Sequence, residues 1–335
     1  MSHSVLVTGG AGYIGSHVVQ QLVARGERVV VVDNLSTGFR DAVRGAELVV
    51  GNVGDRALVA RVLGRHRVDA VLHFAAHTVV PESLGDPLKY YGNNTCNTQS
   101  LLACCAEAGV GNFIFSSTAA VYGVTENGMA DEDTPTRPIN PYGASKLMSE
   151  TMLRDLCATG AMRHATLRYF NVAGCDPQGR IGHSTPNSTL LIKVACEHAV
   201  GKRASVSIFG SDYDTPDGTG IRDYIHVEDL AAAHLQALDH LRDGGESLTL
   251  NCGYGHGYSV REVIDAVQRV DGHPLTVIER PRRAGDTPML VARSDRLKQR
   301  LDWRPRYDDL DVIVRTALLW ERKLARKPVT LASGA

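Results

Sequence analysis

The sequence has little of what would direct a protein to nucleic acid or to a membrane. Its 335 residues carry 36 Lys and Arg against 37 Asp and Glu, so no broad basic field exists to hold a phosphate backbone. No apolar run approaches the roughly 20 residues that a membrane span needs. We therefore predict no nucleic-acid partner and no membrane association.

Cysteine is sparse and follows no ligand or disulfide pattern. The seven cysteines include no Cys-x-x-Cys pair, and no signal sequence precedes the first strand pattern, so we expect reduced thiols in a cytoplasmic protein. His73 and His77 have the i, i+4 spacing of a metal pair. They straddle a predicted strand end and no third ligand is apparent, so we predict no metal site.

The N-terminal region carries the pattern of a dinucleotide site. A β-branched run at 4–8 predicts a strand, and Gly9, Gly12 and Gly15 follow before a helical pattern. Glycines at this spacing let the backbone turn sharply and approach a pyrophosphate at the helix N-terminus. The next strand pattern ends at Asp33, where a carboxylate binds ribose hydroxyls and repels a 2′-phosphate. The sequence predicts a nicotinamide dinucleotide site that favours NAD over NADP.

Strand and helix patterns alternate through the first half of the chain. Further strands are predicted at 47–50, 70–74, 112–116 and 165–170, and helices at 56–63 and 88–108. Such repeated units predict an α/β protein with a doubly wound parallel (Rossmann) sheet. We place the NAD-binding Rossmann domain at 1–175 and a smaller, interleaved substrate-binding lobe mainly at 176–335. Segments at about 221–252 are expected to return to the first domain.

The most reactive side chains lie on one predicted helix that begins at Pro141. Tyr142 and Lys146 share a face of it, and Thr118 ends an earlier strand pattern. A free phenol has a pKa of roughly 10, and lowering it to about 7 needs roughly 4 kcal/mol. One Lys would struggle to supply that alone, whereas an oxidised nicotinamide ring would add positive charge and accept a hydride. The pattern predicts redox chemistry at an alcohol carbon.

Two arginines in polar loops of the second lobe suggest a second diphosphate site. Arg222 and Arg283 present guanidinium groups, whose planar fork matches phosphate oxygens. Asp286 follows Arg283 at a spacing that suits a ribose. The second ligand is therefore expected to contain a nucleoside diphosphate.

Several stretches together carry a family resemblance. They are Gly9-x-x-Gly12-x-x-Gly15, residues 116–123, Tyr142-x3-Lys146, residues 167–171, residues 218–227 and the Arg-Arg-x-Gly-Asp turn at 282–286. This set resembles the extended short-chain dehydrogenase/reductase family, most closely its UDP-glucose 4-epimerases, from about residue 4 to about residue 305.

The resemblance implies a reaction. NAD, tightly bound and regenerated in each turnover, would support interconversion of UDP-glucose and UDP-galactose by transient oxidation at C4 and rotation of the 4-keto sugar. Tyr142 would take the proton of the 4-hydroxyl, Lys146 would hold the nicotinamide ribose and lower the Tyr142 pKa, and Thr118 would hydrogen-bond the 4-oxygen.

The resemblance also implies a set of contacts. The cofactor would lie against Gly9, Gly12, Tyr13, Ile14, Gly15, Asp33, Asn34, Asn52, Val53, Phe74, Ala75, Ala76, Asn93, Ser116, Tyr142, Lys146 and Tyr169. The UDP-sugar would lie against Thr118, Tyr142, Asn171, Leu191, Arg222, Arg283, Asp286 and Leu290. We further expect a homodimer, formed through the extra apolar faces of helices near 88–108 and 141–158.

Asn52 and Leu290 are two of the positions that depart from the family pattern. Asn52 stands where an Asp usually accepts from the adenine amino group, and an amide oxygen can take that role. Leu290 stands where members carry Tyr, Cys or a smaller residue beside the sugar 2-substituent. Because leucine is smaller than tyrosine, UDP-GlcNAc and UDP-GalNAc are additional candidate substrates.

Other functions remain open at this point. UDP-pentoses or UDP-uronates are alternative epimerase substrates. A nucleotide-sugar 4,6-dehydratase needs an acid and a base, normally placed directly after the Thr, where this chain has Ala119 and Ala120. A non-catalytic dinucleotide-binding protein would be expected to lack Tyr142, Lys146 or the Thr118 hydroxyl.

Overall fold

The computed structural model describes residues 4–326. Its strands are β1 (Ser4–Thr8), β2 (Val29–Asp33), β3 (Glu47–Val50), β4 (Val68–His73), β5 (Asn112–Thr118), β6 (Met129–Ala130), β7 (Arg163–Tyr169), β8 (Asn171–Ala173), β9 (Val206–Phe209), β10 (Ile221–Arg222), β11 (Tyr224–His226), β12 (Leu248–Cys252), β13 (Tyr258–Ser259), β14 (Val277–Arg280) and β15 (Met289–Ala292). Its α-helices are α1 (Tyr13–Ala24), α2 (Arg56–His66), α3 (Val80–Gly85), α4 (Pro87–Tyr90), α5 (Asn97–Glu107), α6 (Pro141–Ala158), α7 (Leu191–Ala199), α8 (Val227–Arg242), α9 (Val260–Asp271), α10 (Asp295–Leu301) and α11 (Leu310–Arg326). A π-helical segment, Tyr91–Cys96, joins α4 to α5, so the helix predicted at 88–108 is present in three parts. Within residues 4–326, each helix is too short or too polar to cross a bilayer.

Seven parallel strands form the central sheet, in the order β12-β7-β5-β4-β1-β2-β3. The chain adds β2 and β3 on one side of β1, and then β4, β5, β7 and β12 on the other side. The strand order therefore reverses between β1 and β4, which is where open α/β sheets bind their ligands, beyond the carboxyl ends of the strands. The predicted doubly wound sheet is confirmed.

Both faces of this sheet are covered, which explains why its strands are continuous apolar runs. In β1, Val5 and Val7 belong to a core that includes side chains of α1 and α8. Leu6 points the other way, into a core with side chains of α2, α5 and α6. Fully burying an aliphatic side chain contributes about 1.5–3 kcal/mol, so two such cores hold the strand order firmly.

Helix α6 begins at a position that brings it close to the end of β5. The Asn140 side chain accepts a hydrogen bond from the backbone N–H of Gly143 (2.8 Å), and Pro141 occupies the first turn. A Cβ atom at Gly143 would collide with the carbonyl oxygen of Ala120, in the short turn after β5. Glycine at this position therefore permits the close approach that sets Tyr142 beside Thr118.

The second half of the chain builds smaller sheets and then returns to the central one. β10 pairs with β13 and β15, and β11 pairs with β8. Helix α8 packs on α1, and β12 joins β7 at the edge of the central sheet. Of the segments at about 221–252 that are expected to return to the first domain, α8 and β12 make these contacts. The strands before Val227 pair outside the central sheet. The division of the chain into lobes at residue 175 stays a prediction.

Candidate active site

Thr118, Tyr142 and Lys146 converge at the carboxyl end of β5. The Thr118 side chain hydrogen-bonds Tyr142, and both residues are buried. The Lys146 ammonium donates to the Ser116 carbonyl oxygen (2.8 Å) and lies 4.8 Å from the centre of the Phe115 ring. The three side chains predicted to react are brought together by one strand end and one helix.

Burial governs the proton affinities at this centre. It raises the pKa of Tyr142, and the hydrogen bond with Thr118 acts in the opposite direction. Burial also lowers the pKa of Lys146 to about 8, and the Glu150 carboxylate opposes this lowering. For Tyr142 to act as a base near neutral pH, a further positive charge must lie close to it.

The glycine turn between β1 and α1 fits a dinucleotide pyrophosphate. A Cβ at Gly15 would collide with the Gly9 carbonyl oxygen, so the fold itself requires glycine there. A Cβ at Gly12 would meet only that oxygen, at 3.2 Å, so the protein leaves this side of the turn open. Helix α1 has no side-chain cap and no acidic residue in its first turn, where Tyr13 and Ile14 lie. Its N-terminus is therefore available to an anion.

The Asp33 carboxylate is held in place for a ribose. Its Oδ2 accepts the backbone N–H of Ala11 (2.9 Å), and its Oδ1 accepts that of Leu35 (2.8 Å). Each carboxylate oxygen keeps acceptor capacity for a sugar hydroxyl. Asn34 follows directly, so the predicted cofactor residues at the end of β2 lie beside the glycine turn.

The other predicted cofactor residues are distributed along the same edge of the sheet. Asn52 and Val53 follow β3, Phe74, Ala75 and Ala76 follow β4, Ser116 lies in β5, Tyr169 ends β7 and Asn93 lies in the π-helical segment. The Asn52 side-chain oxygen accepts the backbone N–H of Gly54 (2.8 Å) and retains one lone pair for a ligand. Ser116 hydrogen-bonds the Tyr169 hydroxyl (3.3 Å).

Two polar residues that the sequence did not single out support this edge. His234 on α8 places Nε2 3.2 Å from the Ser116 hydroxyl, and burial lowers the His234 pKa to about 4. Asn94 donates to the His77 carbonyl and to the Ser145 hydroxyl, both at 3.0 Å, which ties the segment after β4 to α6. Neither position has a local spacing signal, because both act across distant elements.

The two spaced histidines have separate surroundings. His73 is buried between the Thr8 and Thr98 hydroxyls, at 2.6 and 2.9 Å, and burial, with the Lys146 charge, lowers its pKa to about 3. Among the described residues, no group of three or more His, Cys, Asp or Glu side chains is placed to hold a metal ion.

Apart from Thr118 and Tyr142, the predicted substrate residues lie on the smaller sheets, at the start of α7 and in the turn between β14 and β15. Arg222 in β10 and Leu290 in β15 are register partners. Asn171 begins β8, and its backbone N–H donates a hydrogen bond to the Asp223 carbonyl oxygen (2.9 Å). Leu191 begins α7. A cavity of about 20 Å³ is lined by Tyr13, Asn171 and Leu191, so predicted cofactor and substrate residues face a common space.

The Arg283 and Asp286 side chains, both predicted to bind the ligand, are paired with each other. Arg283 Nε donates to Asp286 Oδ2 (3.0 Å), and the guanidinium lies 4.5 Å from the centre of the Phe209 ring. The charges of Arg222 and Arg283 both act to lower the pKa of the Tyr213 hydroxyl, against the effect of its burial. Sequence reasoning missed Phe209 and Tyr213, although Phe209 ends an alternating strand pattern.

A Rossmann sheet, a glycine turn with a ribose carboxylate, and a Tyr–Lys–Thr centre together define a dinucleotide-dependent enzyme of the short-chain dehydrogenase/reductase type. Residues 5–253 match the NAD dependent epimerase/dehydratase family, and the chain belongs to that family.

Relatives within the family are similar along nearly the whole chain. The UDP-glucose 4-epimerase of Azospirillum brasilense is 57% identical over 324 residues, which cover 96% of this chain and 93% of the relative. The UDP-glucose 4-epimerase of Brucella ovis, solved in complex with NAD, is 44% identical with a TM-score of 0.92, covering 95% of this chain and 98% of that one. The UDP-Glc/GlcNAc 4-epimerase of Campylobacter jejuni is 47% identical with a TM-score of 0.84, covering 96% and 100%. The resemblance and the expectation of NAD as cofactor are confirmed.

Because Gly12 and Gly15 have different surroundings, we expect alanine at each position to affect NAD binding and stability differently. Gly12→Ala should lower the NAD that copurifies several-fold while leaving the thermal midpoint of the NAD-free protein nearly unchanged, because only a ligand would fill that side of the turn. Gly15→Ala, as the matched comparison, should lower both, since its methyl group meets the Gly9 carbonyl. NAD released on denaturation and the melting temperature after NAD removal measure the two quantities. Full NAD content in Gly12→Ala would place the pyrophosphate elsewhere.

Proposed function

We propose that the protein is an NAD-dependent 4-epimerase that interconverts UDP-glucose and UDP-galactose. The observation that carries this proposal is the buried group of Thr118, Tyr142 and Lys146, with Lys146 fixed on the Ser116 carbonyl at 2.8 Å. It lies at the same sheet edge as the glycine turn and Asp33. The high identity to proteins described as UDP-glucose 4-epimerases supports the choice of sugar nucleotide.

The chain's own residues divide the chemistry among them. NAD, when bound, would supply a reversible hydride acceptor for C4 of the sugar, by way of a 4-keto state. Tyr142 takes the proton of the 4-hydroxyl, and Thr118, its hydrogen-bond partner, holds the 4-oxygen and relays the proton. Lys146, as an ammonium, favours the Tyr142 phenolate and binds the nicotinamide ribose. Tyr142 later gives the proton back to the 4-oxygen, and because C4 also regains a hydride the reaction is redox-neutral.

The UDP group is held by residues on the smaller sheets so that the sugar alone turns. Arg222 and Arg283 bind the diphosphate, and Asn171 contacts the substrate near the diphosphate. Asp286 binds the uridine ribose, so the ion pair that it forms with Arg283 opens when ligand binds. The cofactor is held by Gly12, Asp33 and the other residues along the strand ends.

Elimination of water is disfavoured as the reaction. Ala119 and Ala120 follow Thr118 in a 3-10 turn, where a dehydratase would place its acid and base. UDP-pentoses and UDP-uronates remain the alternative substrates.

A direct assay tests the reaction and the role of Tyr142. Purified protein, with no NAD added, should convert UDP-galactose into UDP-glucose, measured by chromatography of the sugar nucleotides. Tyr142→Phe should retain its fold and NAD but lose turnover by roughly a hundredfold to ten-thousandfold, because the base is removed.

Tyr90→Phe is the matched control for that substitution. It removes another buried hydroxyl, whose partners are Val79 and Glu82, and should leave turnover near normal. No conversion by the unmodified protein, even with added NAD, would exclude the 4-epimerase function for this sugar. Near-normal turnover in Tyr142→Phe would remove Tyr142 from the base role.

Leu290 is proposed to leave room at the sugar 2-position. It packs against the small apolar cluster that includes Ala119 and Phe170, which directly adjoin Thr118 and Asn171. Its side chain therefore packs on the cluster that adjoins the reactive centre. A leucine leaves more space there than a tyrosine, so we propose that UDP-GlcNAc and UDP-GalNAc are also epimerised.

A volume change at this position tests the proposal. Leu290→Tyr should lower the ratio of kcat/KM for UDP-GalNAc to that for UDP-galactose by about tenfold or more, because the ring fills the space of the N-acetyl group. Leu290→Met, which nearly conserves volume, should leave the ratio unchanged. Both ratios come from the same chromatographic assay. An unchanged ratio in Leu290→Tyr would show that another residue limits the 2-substituent.

A homodimer is proposed to form through the helices at 87–107 and α6. Leu88 is 78% exposed and Met148 on α6 is 47% exposed, and the elements that carry them are in contact. These side chains offer an apolar surface next to both helices, as a two-fold four-helix contact requires.

A charge in this surface should separate the subunits. Leu88→Asp should elute as a monomer in size-exclusion chromatography with light scattering, because an unpaired carboxylate would be buried in the interface. Leu319→Asp on α11, 43% exposed in the structure, should stay dimeric and serves as the control. Dimers of unchanged stability in Leu88→Asp would place the interface on another surface.

We propose that residues 1–175, with α8 and β12, form the NAD-binding domain and that 176–335 mainly form the substrate lobe. We also propose a cytoplasmic location, supported by the seven cysteines, all of which are free thiols.

A further inference from the structure

Glu150 is a buried carboxylate that the proposed mechanism does not use. It lies one helical turn beyond Lys146 on α6. Arg168 donates to it through Nε (3.1 Å to Oε1) and Nη2 (2.6 Å to Oε2), and the Ser117 hydroxyl donates to Oε1. A buried carboxylate with this many donors is held in one orientation.

Ser117 and Arg168, the partners of Glu150, belong to a row of polar side chains across three strands. Ser117 in β5, Arg168 in β7 and Asn251 in β12 are successive register partners. The Tyr122 hydroxyl accepts from Arg168 Nη1 (3.0 Å) and donates to Asn251 Oδ1 (2.6 Å). One continuous set of buried hydrogen bonds therefore links α6 to three neighbouring strands.

This row lies directly beside the reactive centre. Ser117 stands between Ser116, whose carbonyl receives the Lys146 ammonium, and Thr118, which hydrogen-bonds Tyr142. Tyr142, Lys146 and Glu150 follow at i, i+4 and i+8, on one face of the helix. A fixed Glu150 therefore sets how α6 lies along β5 and also places a negative charge next to Lys146.

We propose that Glu150 is a positioning residue for the catalytic centre, which anchors α6 to the end of β5 through Ser117 and Arg168 and keeps Lys146 in its ammonium form. The proposal rests on the 4-epimerase function. Its physical reason is that burial alone would drive the proton off Lys146, and an ionised neighbour opposes that loss.

The other titratable groups around Lys146 do not replace this charge. His73 on β4 faces it, but burial makes this imidazole neutral. Tyr142 is on the same helix, and burial raises the pKa of Tyr142 and of Tyr169 on β7. Arg168 is a cation and faces Glu150. The Glu150 carboxylate is the group that opposes the lowering of the Lys146 pKa by burial.

Removing the charge alone tests the proposal. Glu150→Gln in the NAD-loaded protein should move the alkaline limb of the kcat profile to lower pH by roughly one to two units. The direction follows because Lys146 then loses its proton at lower pH, and the Tyr142 phenolate loses its cationic neighbour. Ser117→Ala, which keeps the charge, should lower kcat without moving that limb.

A second measurement needs no turnover. The Cε shift of Lys146 in protein labelled with ¹³C-lysine, assigned with Lys146→Arg, reports its titration directly. In Glu150→Gln this titration should move to lower pH by the same amount as the alkaline limb. If the unmodified protein epimerises no UDP-sugar, the proposed function fails, while this titration still decides the effect of Glu150.

A control and a rescue variant keep the test decisive. Asp229→Asn alters another buried carboxylate, which accepts from the Tyr254 hydroxyl, and should cost stability without moving either titration. If Glu150→Gln fails to fold, Glu150→Gln/Arg168→Gln avoids a buried unpaired guanidinium and should show the same two shifts. A folded variant of either kind with both titrations unmoved would overturn the proposal and leave Glu150 a purely structural role.

Discussion

A buried ammonium group has to be solvated by the protein itself, and most of the proposed site follows from how this is done for Lys146. An isolated ion of this kind loses its proton rather than enter an apolar interior. The chain surrounds it with the Ser116 carbonyl at 2.8 Å, the face of Phe115 at 4.8 Å and a carboxylate one turn further on. The first two require α6 to run close along the end of β5, which carries Phe115 and Ser116. The contact between Gly143 and the turn at Ala120 allows that approach, so a residue without a side chain is what lets the reactive side chains meet.

The features that could be predicted from the sequence are those that lie within one element or at the ends of neighbouring strands. The turn at Gly9, Gly12 and Gly15 and the Tyr142–Lys146 pair keep their spacing in any fold that makes those helices. Asp33 and Thr118 end strands, and parallel strands end at the same edge of a sheet. Their proximity therefore follows once the alternation of strands and helices is recognised, and the central sheet was predictable for the same reason.

The features that could not be predicted depend on register between distant segments. Ser117, Arg168 and Asn251 are side by side only because β5, β7 and β12 pair in one particular alignment, and no spacing rule relates these positions. The spacing of Glu150, four residues after Lys146, could have indicated that the two share a helix face. No spacing in the sequence indicates its partners Ser117 and Arg168. The pairing of Arg283 with Asp286 illustrates another limit: without a phosphate, the guanidinium binds the nearest carboxylate. The return of the chain at Val227 likewise depends on which strands accept β10 and β11.

The positions of the proposed anchors and of the proposed base agree with a reaction in which the sugar turns while the nucleotide stays in place. Asp223, between β10 and β11, accepts the backbone N–H groups of Tyr254 and Gly255, both at 2.9 Å, and that of Ala292 at 3.3 Å. Burial raises the pKa of this carboxyl, and those three amides act against the rise. The carboxylate thereby ties together the strands that carry Arg222 and Leu290, which belong to a sheet other than the one that contains β5. If the proposed anchors and the proposed base shared one element, any movement that releases the sugar would also displace the base. Because the proposed anchors lie outside α6, the 4-keto sugar can rotate about its phosphate linkage while Tyr142 and Lys146 keep their positions.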